Sequence, residues 1–277
     1  MKVLSLFDGM SCARIALDRA AIPVTSYKAS ELDKYAIKVS HANYPDIEQL
    51  GDVCDVKAKD VGKIDLLIGG SPCQDLSFAG KGKGLKEGTR SSLFFEFVRL
   101  KNELNPKYFI LENVRMKQEN QDIISEYLGV KPKQFNSSLV SAQNRNRLFW
   151  TNIDFDLPDD KGIILADILE DGITDRAKSH CLDANYFKGG NLKSYFEKHR
   201  RQLVFKEFLK DDWPLLDHAK YKYLSHLSFR KLTPLECERL QTVPDNYTNH
   251  VSNTQRYKML GNGFTVDVVA HILKGLH

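Results

Sequence analysis

No stretch of the 277 residues approaches the roughly 20 consecutive apolar residues that a membrane-spanning helix requires. The chain opens on one lysine and a strand-like Val3-Leu4-Ser5-Leu6-Phe7, so a soluble cytoplasmic protein with no membrane partner is expected. Cysteine is sparse. The five present (Cys12, Cys54, Cys73, Cys181, Cys237) are odd in number and form no C-x-x-C pair, which argues against a disulfide framework and against zinc. A reducing compartment and no bound metal are expected. Internal repeats and low-complexity tracts are missing, and no glycine-rich loop carries the lysine of a phosphate-binding loop after the first strand. Charge of either sign is not in large excess: 40 Lys+Arg against 36 Asp+Glu leave a net +4, which permits a polyanionic partner without demanding one. The length allows one large domain, or one domain with a modest insertion.

What is present is an alternation. Apolar strand-like runs at 3–7, 24–30, 65–69 and 108–111 are separated by helical patterns over 12–20, 34–43 and 93–103. This predicts a parallel α/β sheet with right-handed crossovers. Ligands of such sheets bind beyond the carboxyl ends of the strands, and those ends here carry Asp8-Gly9, Glu31, Asp52, Pro72-Cys73 and Glu112-Asn113. Past residue 155 the alternation fades into an irregular, aromatic and basic stretch. A helical pattern returns at 233–241, where Thr233-Pro234-Leu235-Glu236 supplies an N-cap, a proline at the first helical position and an early acid. Gly261-Asn262-Gly263 then introduces a last helix at 266–273. The expected organisation is a first catalytic part at 1–154, a second small domain at 155–228, and a return to the catalytic domain at 229–277.

Each constellation has a chemical and a bland reading. Gly9 in Leu6-Phe7-Asp8-Gly9-Met10-Ser11-Cys12 suits backbone approach to a nucleoside, and equally a plain tight turn. Glu31, some twenty residues on, stands where an acid would hold ribose hydroxyls, and Asp52 in Gly51-Asp52-Val53 could accept from an adenine amino group; either could also be a solvated acid. Cys73, on the Gly/Pro-punctuated turn of Gly69-Gly70-Ser71-Pro72-Cys73-Gln74, stands where a nucleophile would be placed, though a thiol of pKa about 8.5 needs electrostatic help. Glu112 closes the next strand, and adjacent strand ends would bring thiol and carboxyl into one crevice; the bland reading of Glu112-Asn113 is helix capping. Gln143, Arg145 and Arg147 alternate and so share one face of an extended segment, facing an anionic ligand or solvent. The glycine-rich basic loop 79–90 could close over a substrate or be a surface loop. Residues 176–210 carry nine Lys/Arg against three acids, interleaved with Tyr186, Phe187, Tyr195 and Phe196. That mixture fits nucleic-acid backbone contacts or a solvated helix face.

In this order the residues resemble the DNA (cytosine-5) methyltransferase family over nearly the whole chain outside about 155–228. Phe7-Asp8-Gly9-Met10-Ser11 looks like its cofactor motif, Ser71-Pro72-Cys73-Gln74 its nucleophile motif, and Glu112-Asn113-Val114 its protonating motif. Gln143, Arg145 and Arg147 match Q-x-R-x-R, Arg230-Lys231-Leu232-Thr233-Pro234 with Glu236 matches R-x-L-T-P-x-E, and Gly261-Asn262-Gly263 matches the last motif. Glu87-Gly88-Thr89 before Leu93-Phe94-Phe95-Glu96-Phe97 looks closest to the animal de novo branch, while shortness and the lack of appended domains suggest a bacterial or phage enzyme. Two departures stand out. Ser11 and Cys12 replace glycines of the cofactor turn, which implies a slightly tighter turn, and Gly263 replaces a serine.

The resemblance implies a Rossmann-like S-adenosylmethionine-dependent methyltransferase sheet with a small target-recognition domain. It implies that S-adenosylmethionine, leaving as S-adenosylhomocysteine, is held by Phe7, Asp8, Gly9, Met10, Ser11, Glu31, Leu32, Asp52 and Val53, with Pro72, Leu93, Asn262 and Gly263 lining the rest. Cys73 would attack C6 of a cytosine flipped out of double-stranded DNA, protonated Glu112 would bond N3, Arg147 would hold O2, and Arg145 would orient Glu112 or the phosphate. A monomer, nucleoid-associated when bound to DNA, with a cognate restriction endonuclease as partner, completes the expectation. A tRNA cytosine-5 methyltransferase is the nearest rival, although its Cys-Phe-Thr tripeptide is missing from the sequence, and a non-catalytic DNA-binding relative is the other.

Overall fold

A computed structural model describes residues 1–72, 93–207 and 228–276. The chain forms two compact units: Met1–Asn136, Asn146–Leu157 and Val268–His277 make the first, Ser137–Arg145 and Pro158–Asp267 the second. The second unit is thus larger than the 155–228 segment expected from composition: it takes in 137–145 and continues to Asp267. Those added residues are built into its interior by hydrogen bonds from Gln143 and Arg145, which no composition shift reports.

The first unit is built on a seven-stranded sheet ordered β3-β2-β1-β4-β5-β7-β6, with β1 Lys2–Leu6, β2 Ser26–Ser30, β3 Glu48–Gln49, β4 Leu66–Gly69, β5 Tyr108–Val114, β6 Lys133–Asn136 and β7 Asn146–Thr151. β3 through β5 run parallel, β7 pairs antiparallel with β5, and β6 pairs antiparallel with β7. β1 and β4 are buried almost throughout, as expected of strands covered on both faces. In register across the sheet, Leu4 faces Leu67 and Leu67 faces Phe109, while Leu6, Gly69, Leu111 and Trp150 form the next row. This face packs on Phe94 and Phe97 of α4, Leu93–Leu104. Gly69 is required there, because a Cβ on it would lie 2.8 Å from the Leu6 carbonyl oxygen.

After β1 the chain moves outward through α1 (Cys12–Arg19), β2, α2 (Lys34–Asn43) and β3, then returns through the short α3 (Ala58–Val61) to the other side of β1 as β4, and α5 (Gln118–Leu128) follows β5. The strand order reverses between β1 and β4, the position where such sheets ordinarily take a ligand. α2 starts where the sequence places it, because the Asp33 carboxylate accepts the Tyr35 amide at 2.9 Å as its N-cap. β5 is longer than the four residues its apolar run suggested. Pairing with β7 matches Glu112 to Phe149, Asn113 to Leu148 and Val114 to Arg147, so Glu112 and Asn113 belong to the ladder and cap no helix.

The second unit holds α6 (Leu192–Lys198), the two-stranded β8 (Leu203–Phe205) and β9 (Phe229–Lys231), α7 (Pro234–Leu240) and α8 (Asn253–Asn262). α7 begins in a full capping box between Thr233 and Glu236 with Pro234 at its start, as the sequence predicts. Glu236 is completely buried and is tied down by both terminal nitrogens of Arg230 at 2.8 Å and by the amides of Thr233 and Glu170. Glu238, equally buried, accepts from Thr248, Asn246 and Arg256.

The aromatic and basic tract is less of a nucleic-acid surface than its composition suggests. Tyr186, Tyr195 and Phe196 are buried core residues. Arg176 is bidentate on Asp175 and lies 4.6 Å from the Tyr195 ring centroid, Lys178 bonds the Ser138 and Ser141 carbonyls, and Arg201 bonds that of Gly189. Burial and the neighbouring Arg176 guanidinium hold the His180 imidazole down at about 4. Lys188, Lys193, Lys198, Arg200 and Lys206 are the exposed cations of the tract among the described residues. Lys210 and the loop 79–90 lie outside them.

Candidate active site

The turn from β1 into α1 is made of left-handed residues. Phe7, Gly9 and Ser11 have φ of 56°, 60° and 65°, a region that costs roughly 1–2 kcal/mol for each residue bearing a Cβ. The surrounding bonds hold it there: the Asp8 amide donates to the Ser30 carbonyl at 3.2 Å, and the Gly9 amide donates to Glu31 Oε2 at 2.8 Å. A Cβ at Gly9 would meet nothing within 4 Å, so the glycine faces open space and serves the backbone conformation. Met10 is buried.

Asp8 is buried, with Tyr27 donating to Oδ1 at 2.7 Å and Ser11 to Oδ2 at 2.5 Å. Burial pushes its carboxyl up from an ordinary 3.8 to about 6, against the hydroxyls of Ser11 and Tyr27, which pull it down. Glu31 Oε1 accepts the amides of Leu32 and Asp33 at 2.7 and 2.8 Å. Asp52 accepts the Cys54 amide at 3.0 Å and so caps the single 3-10 turn Val53–Asp55. Phe7, Val53 and Leu93 belong to or pack against the same apolar cluster, and Leu32 is 68% exposed.

This donor set fits a nucleoside. The carboxylates of Glu31 and Asp52 are fixed by backbone amides, and an ionised carboxylate offers about four acceptor sites, so each keeps capacity for a ribose hydroxyl or an exocyclic amine. Phe7, Val53 and Leu93 are apolar wall of the kind a base packs on. Among the described residues no group of three or more His, Cys, Asp or Glu is arranged to hold a metal ion.

On the far side of β4 the second cluster is centred on Glu112. Arg147 Nε lies 2.9 Å from Glu112 Oε1, with the two side chains only 16% and 13% exposed, and Arg147 Nη1 donates to the Asn146 carbonyl at 2.8 Å. The pair is diagonal across the β5–β7 ladder, since Arg147 faces Val114 and Glu112 faces Phe149. Next to it the buried Asn113 side chain donates to the Ser71 Oγ at 3.2 Å, tying the end of β5 to the residue that precedes Pro72. Cys73 itself lies outside the described residues. Its place in the chain, four residues past Gly69, follows a strand end that is in register with Leu111, the neighbour of Glu112.

The buried Arg145 guanidinium donates to the carbonyls of Leu182, Gly261 and Gly263 at 2.8, 3.1 and 3.0 Å, all within the second unit, while Arg147 contacts Glu112. One expectation is corrected: Gln143, Arg145 and Arg147 do not share one face. β7 begins only at Asn146, so Arg147 alone projects from a strand of the sheet, while Gln143 is buried among Leu240, Gln241 and Leu182.

Asn262 is the exposed last residue of α8 and Gly263 follows it, both in the second unit. A Cβ at the preceding Gly261 would lie 2.3 Å from the Asp183 carbonyl carbon, so this motif owes its first glycine to a close backbone crossing. Sequence reasoning missed Tyr27 and Ser40, which bond beneath the 7–11 turn. Their spacing to the residues they bond follows no local period, and no motif marks them; Ser71 stands in the Ser71-Pro72-Cys73-Gln74 motif, but its bond to Asn113 is not legible there.

A family model described as C-5 cytosine-specific DNA methylase matches residues 1–171 and 172–277. The Type II methyltransferase M1.ScrFI of Lactococcus lactis subsp. cremoris is 32% identical over 305 residues, covering 97% of this chain and 76% of its own. The Type II methyltransferase M.NlaX of Neisseria lactamica is 27% identical over 303 residues, covering 98% and 94%. Among solved structures, the Entamoeba histolytica methyltransferase EhMeth superimposes with a TM-score of 0.75 at 17% identity over 100% of this chain and 97% of that one. A DNMT2 mutant of Spodoptera frugiperda gives 0.73 at 20% over 99% of each. At these identities the two structures share the fold.

Proposed function

The chain belongs to the C-5 cytosine-specific DNA methylase family, and on that premise we propose how its residues carry a methyl group to C5 of a cytosine in duplex DNA. The observation that carries the reading is the Glu112–Arg147 pair, enclosed at 2.9 Å on β5 and β7 beside the strand that leads into Pro72-Cys73. S-adenosylmethionine, when bound, supplies an electrophilic sulfonium methyl. Phe7, Glu31, Leu32, Asp52 and Val53 would hold its adenosine, with Gly9, Leu93 and Pro72 beside them, and the family pattern assigns Asn262 and Gly263 to the same cofactor.

The target base must leave the helix, because a stacked, paired cytosine exposes neither C6 nor C5 to a side chain; flipping costs a few kcal/mol. Residues 155–228, most of them in the second unit, recognise the target. Their exposed Lys188, Lys193, Lys198, Arg200 and Lys206 meet the phosphates. Cys73 adds to C6 as its thiolate, and the new S–C6 bond makes C5 nucleophilic. Glu112 in its protonated form donates to N3 and takes up the charge that develops on the ring, while Arg147 fixes the carboxyl group and holds O2. Once C5 carries the methyl group, water removes the C5 proton, the S–C6 bond breaks, and Cys73 returns as thiolate. The reading includes a monomer acting in the cytoplasm, nucleoid-associated on DNA, with a cognate restriction endonuclease as partner.

The test is methyl transfer from radiolabelled S-adenosylmethionine to mixed-sequence duplex DNA and, separately, to total tRNA, with the label located after nucleoside digestion. Label in 5-methylcytosine from DNA is expected. Label confined to tRNA would move the substrate to RNA, and bound cofactor with no transfer to DNA of any sequence would make the chain a non-catalytic relative.

A further inference from the structure

Beneath the 7–11 turn, a line of hydroxyls connects three elements. Ser40, on α2 and fully buried, has its Oγ 2.6 Å from Ser11 Oγ. Ser11 Oγ donates to Asp8 Oδ2 at 2.5 Å, and Tyr27, on β2, donates its hydroxyl to Asp8 Oδ1 at 2.7 Å. A hydroxyl has one hydrogen to give. With that of Ser11 given to Asp8, Ser40 must supply the hydrogen between the two serines, and the donors run from Ser40 through Ser11 to Asp8, where Tyr27 meets them. The groups facing Asp8 are then Ser11 from its own turn, with Ser40 of α2 behind it, the buried Ser5 from β1, Tyr27 from β2, and the Glu31 carboxylate from the end of that strand.

Ser11 gives up a local role to take part. It stands at the N-cap of α1, where a serine ordinarily sits in extended backbone and spends its hydroxyl on a first-turn amide. Here it makes no side-chain cap bond and is held at φ 65°, ψ 39°. A strained residue that forgoes its local bond persists only where its surroundings over-determine it, and such positions gather at functional sites. The same turn presents the Gly9 amide to Glu31.

We propose that Ser40 and Tyr27 are positioning residues for the cofactor: acting through Ser11 and Asp8, they hold the left-handed turn whose shape sets Gly9 and Glu31 against the nucleoside. This rests on the reading that residues 7–11 and 31 hold S-adenosylmethionine. Ser11, where the family has a glycine, is on this account no neutral replacement. It converts a turn that glycine permits into one that hydroxyls enforce.

The experiment measures S-adenosylhomocysteine affinity by titration calorimetry on the full chain, beside the unfolding midpoint of the cofactor-free protein. Tyr27→Phe, which removes a donor from a carboxylate, is expected to raise Kd roughly tenfold or more, and Ser40→Ala roughly three- to tenfold. Ser11→Gly keeps the left-handed backbone and drops the hydroxyl, and it too should weaken binding. Because Ser40 acts through Ser11, Ser40→Ala should add less than about twofold in the Ser11→Gly background. In turnover, KM for the cofactor should move more than kcat.

Wild-type affinity in both Ser40→Ala and Tyr27→Phe would overturn the proposal, as would a Ser40→Ala effect undiminished in Ser11→Gly, or wild-type binding by Ser11→Gly. If Tyr27→Phe does not fold, the Ser40/Ser11 cycle decides alone. A wild-type chain that binds no cofactor would overturn the site reading itself, before the hydroxyls come into question.

Discussion

Replacing Asp8 by asparagine should make the protein more stable at neutral pH and leave it little changed in acid. The carboxyl is buried, and burial raises it from 3.8 to about 6. A carboxyl whose folded pKa lies above its unfolded one favours the fold below the unfolded value and loses that contribution as pH rises through the folded value. The window here is about pH 4 to 6. At about 1.36 kcal/mol per pH unit, the gap of roughly two units corresponds to ~3 kcal/mol of stability forfeited above the window. Asparagine keeps the fold, because its oxygen still accepts from Tyr27 and its amide can donate to Ser11, but it does not titrate. Urea unfolding of both proteins across pH 4 to 8 should therefore show the variant gaining on the wild type by ~2 to 3 kcal/mol between the ends, with the change complete near pH 7. A difference that stays constant across the series would refute the assignment of a desolvated, hydrogen-bonded carboxyl at the base of the turn.

Other consequences can be measured independently. Cys73→Ser should abolish methyl transfer while cofactor and DNA still bind; substantial turnover would take the nucleophile elsewhere. Glu112→Gln should slow the single-turnover chemical step by about two decades or more, and an unaltered rate would remove Glu112 from the proton chemistry. Gly261→Ala places a Cβ 2.3 Å from the Asp183 carbonyl carbon, so backbone must move, and a loss of at least ~1–3 kcal/mol is expected by thermal unfolding; a wild-type midpoint would contradict the close crossing. Changing Lys193 and Lys198 together to Gln should flatten the slope of log affinity for DNA against log salt by about 2, at ~0.9 per phosphate contact, whereas an identical slope would place the phosphates on other cations.

Much of the turn proposed to hold the cofactor was legible because its determinants are local. A strand pattern, a glycine at the turn and acids at two further strand ends follow one another in chain order, and Thr233 announces its helix by capping chemistry that works within three residues. The catalytic side was legible in its residues but not in its geometry. Glu112 and Arg147 were picked out as chemistry, yet that they touch depends on β7 turning antiparallel against β5, a pairing the alternation of strands and helices does not encode. The same blindness put Gln143 and Arg145 on the face of Arg147: a period of two holds only while the strand lasts, and the strand starts at Asn146. The basic tract misled for a different reason. Composition counts cations without asking which are already spent on Asp175 or on backbone carbonyls.

The threading of the chain between its two units bears on how such a protein can be re-targeted. The second unit is assembled from two separate segments, 137–145 and 158–267, and the strand that carries Arg147 runs between them. Grafting a foreign version of that unit therefore needs four junctions rather than two. A recombinant made with two, exchanging 137–267 as one block, would import the donor's Arg147 strand into a recipient sheet, where it must still pair with the β5 that bears Glu112. Exchange confined to 158–267 keeps the pair intact but leaves the native Gln143 and Arg145 to find Leu240, Leu182 and Gly261 in a unit that never evolved with them. If the second unit carries the specificity, as proposed above, a change of target brings a short piece of interior with it, and recombination between distant relatives is penalised at that seam.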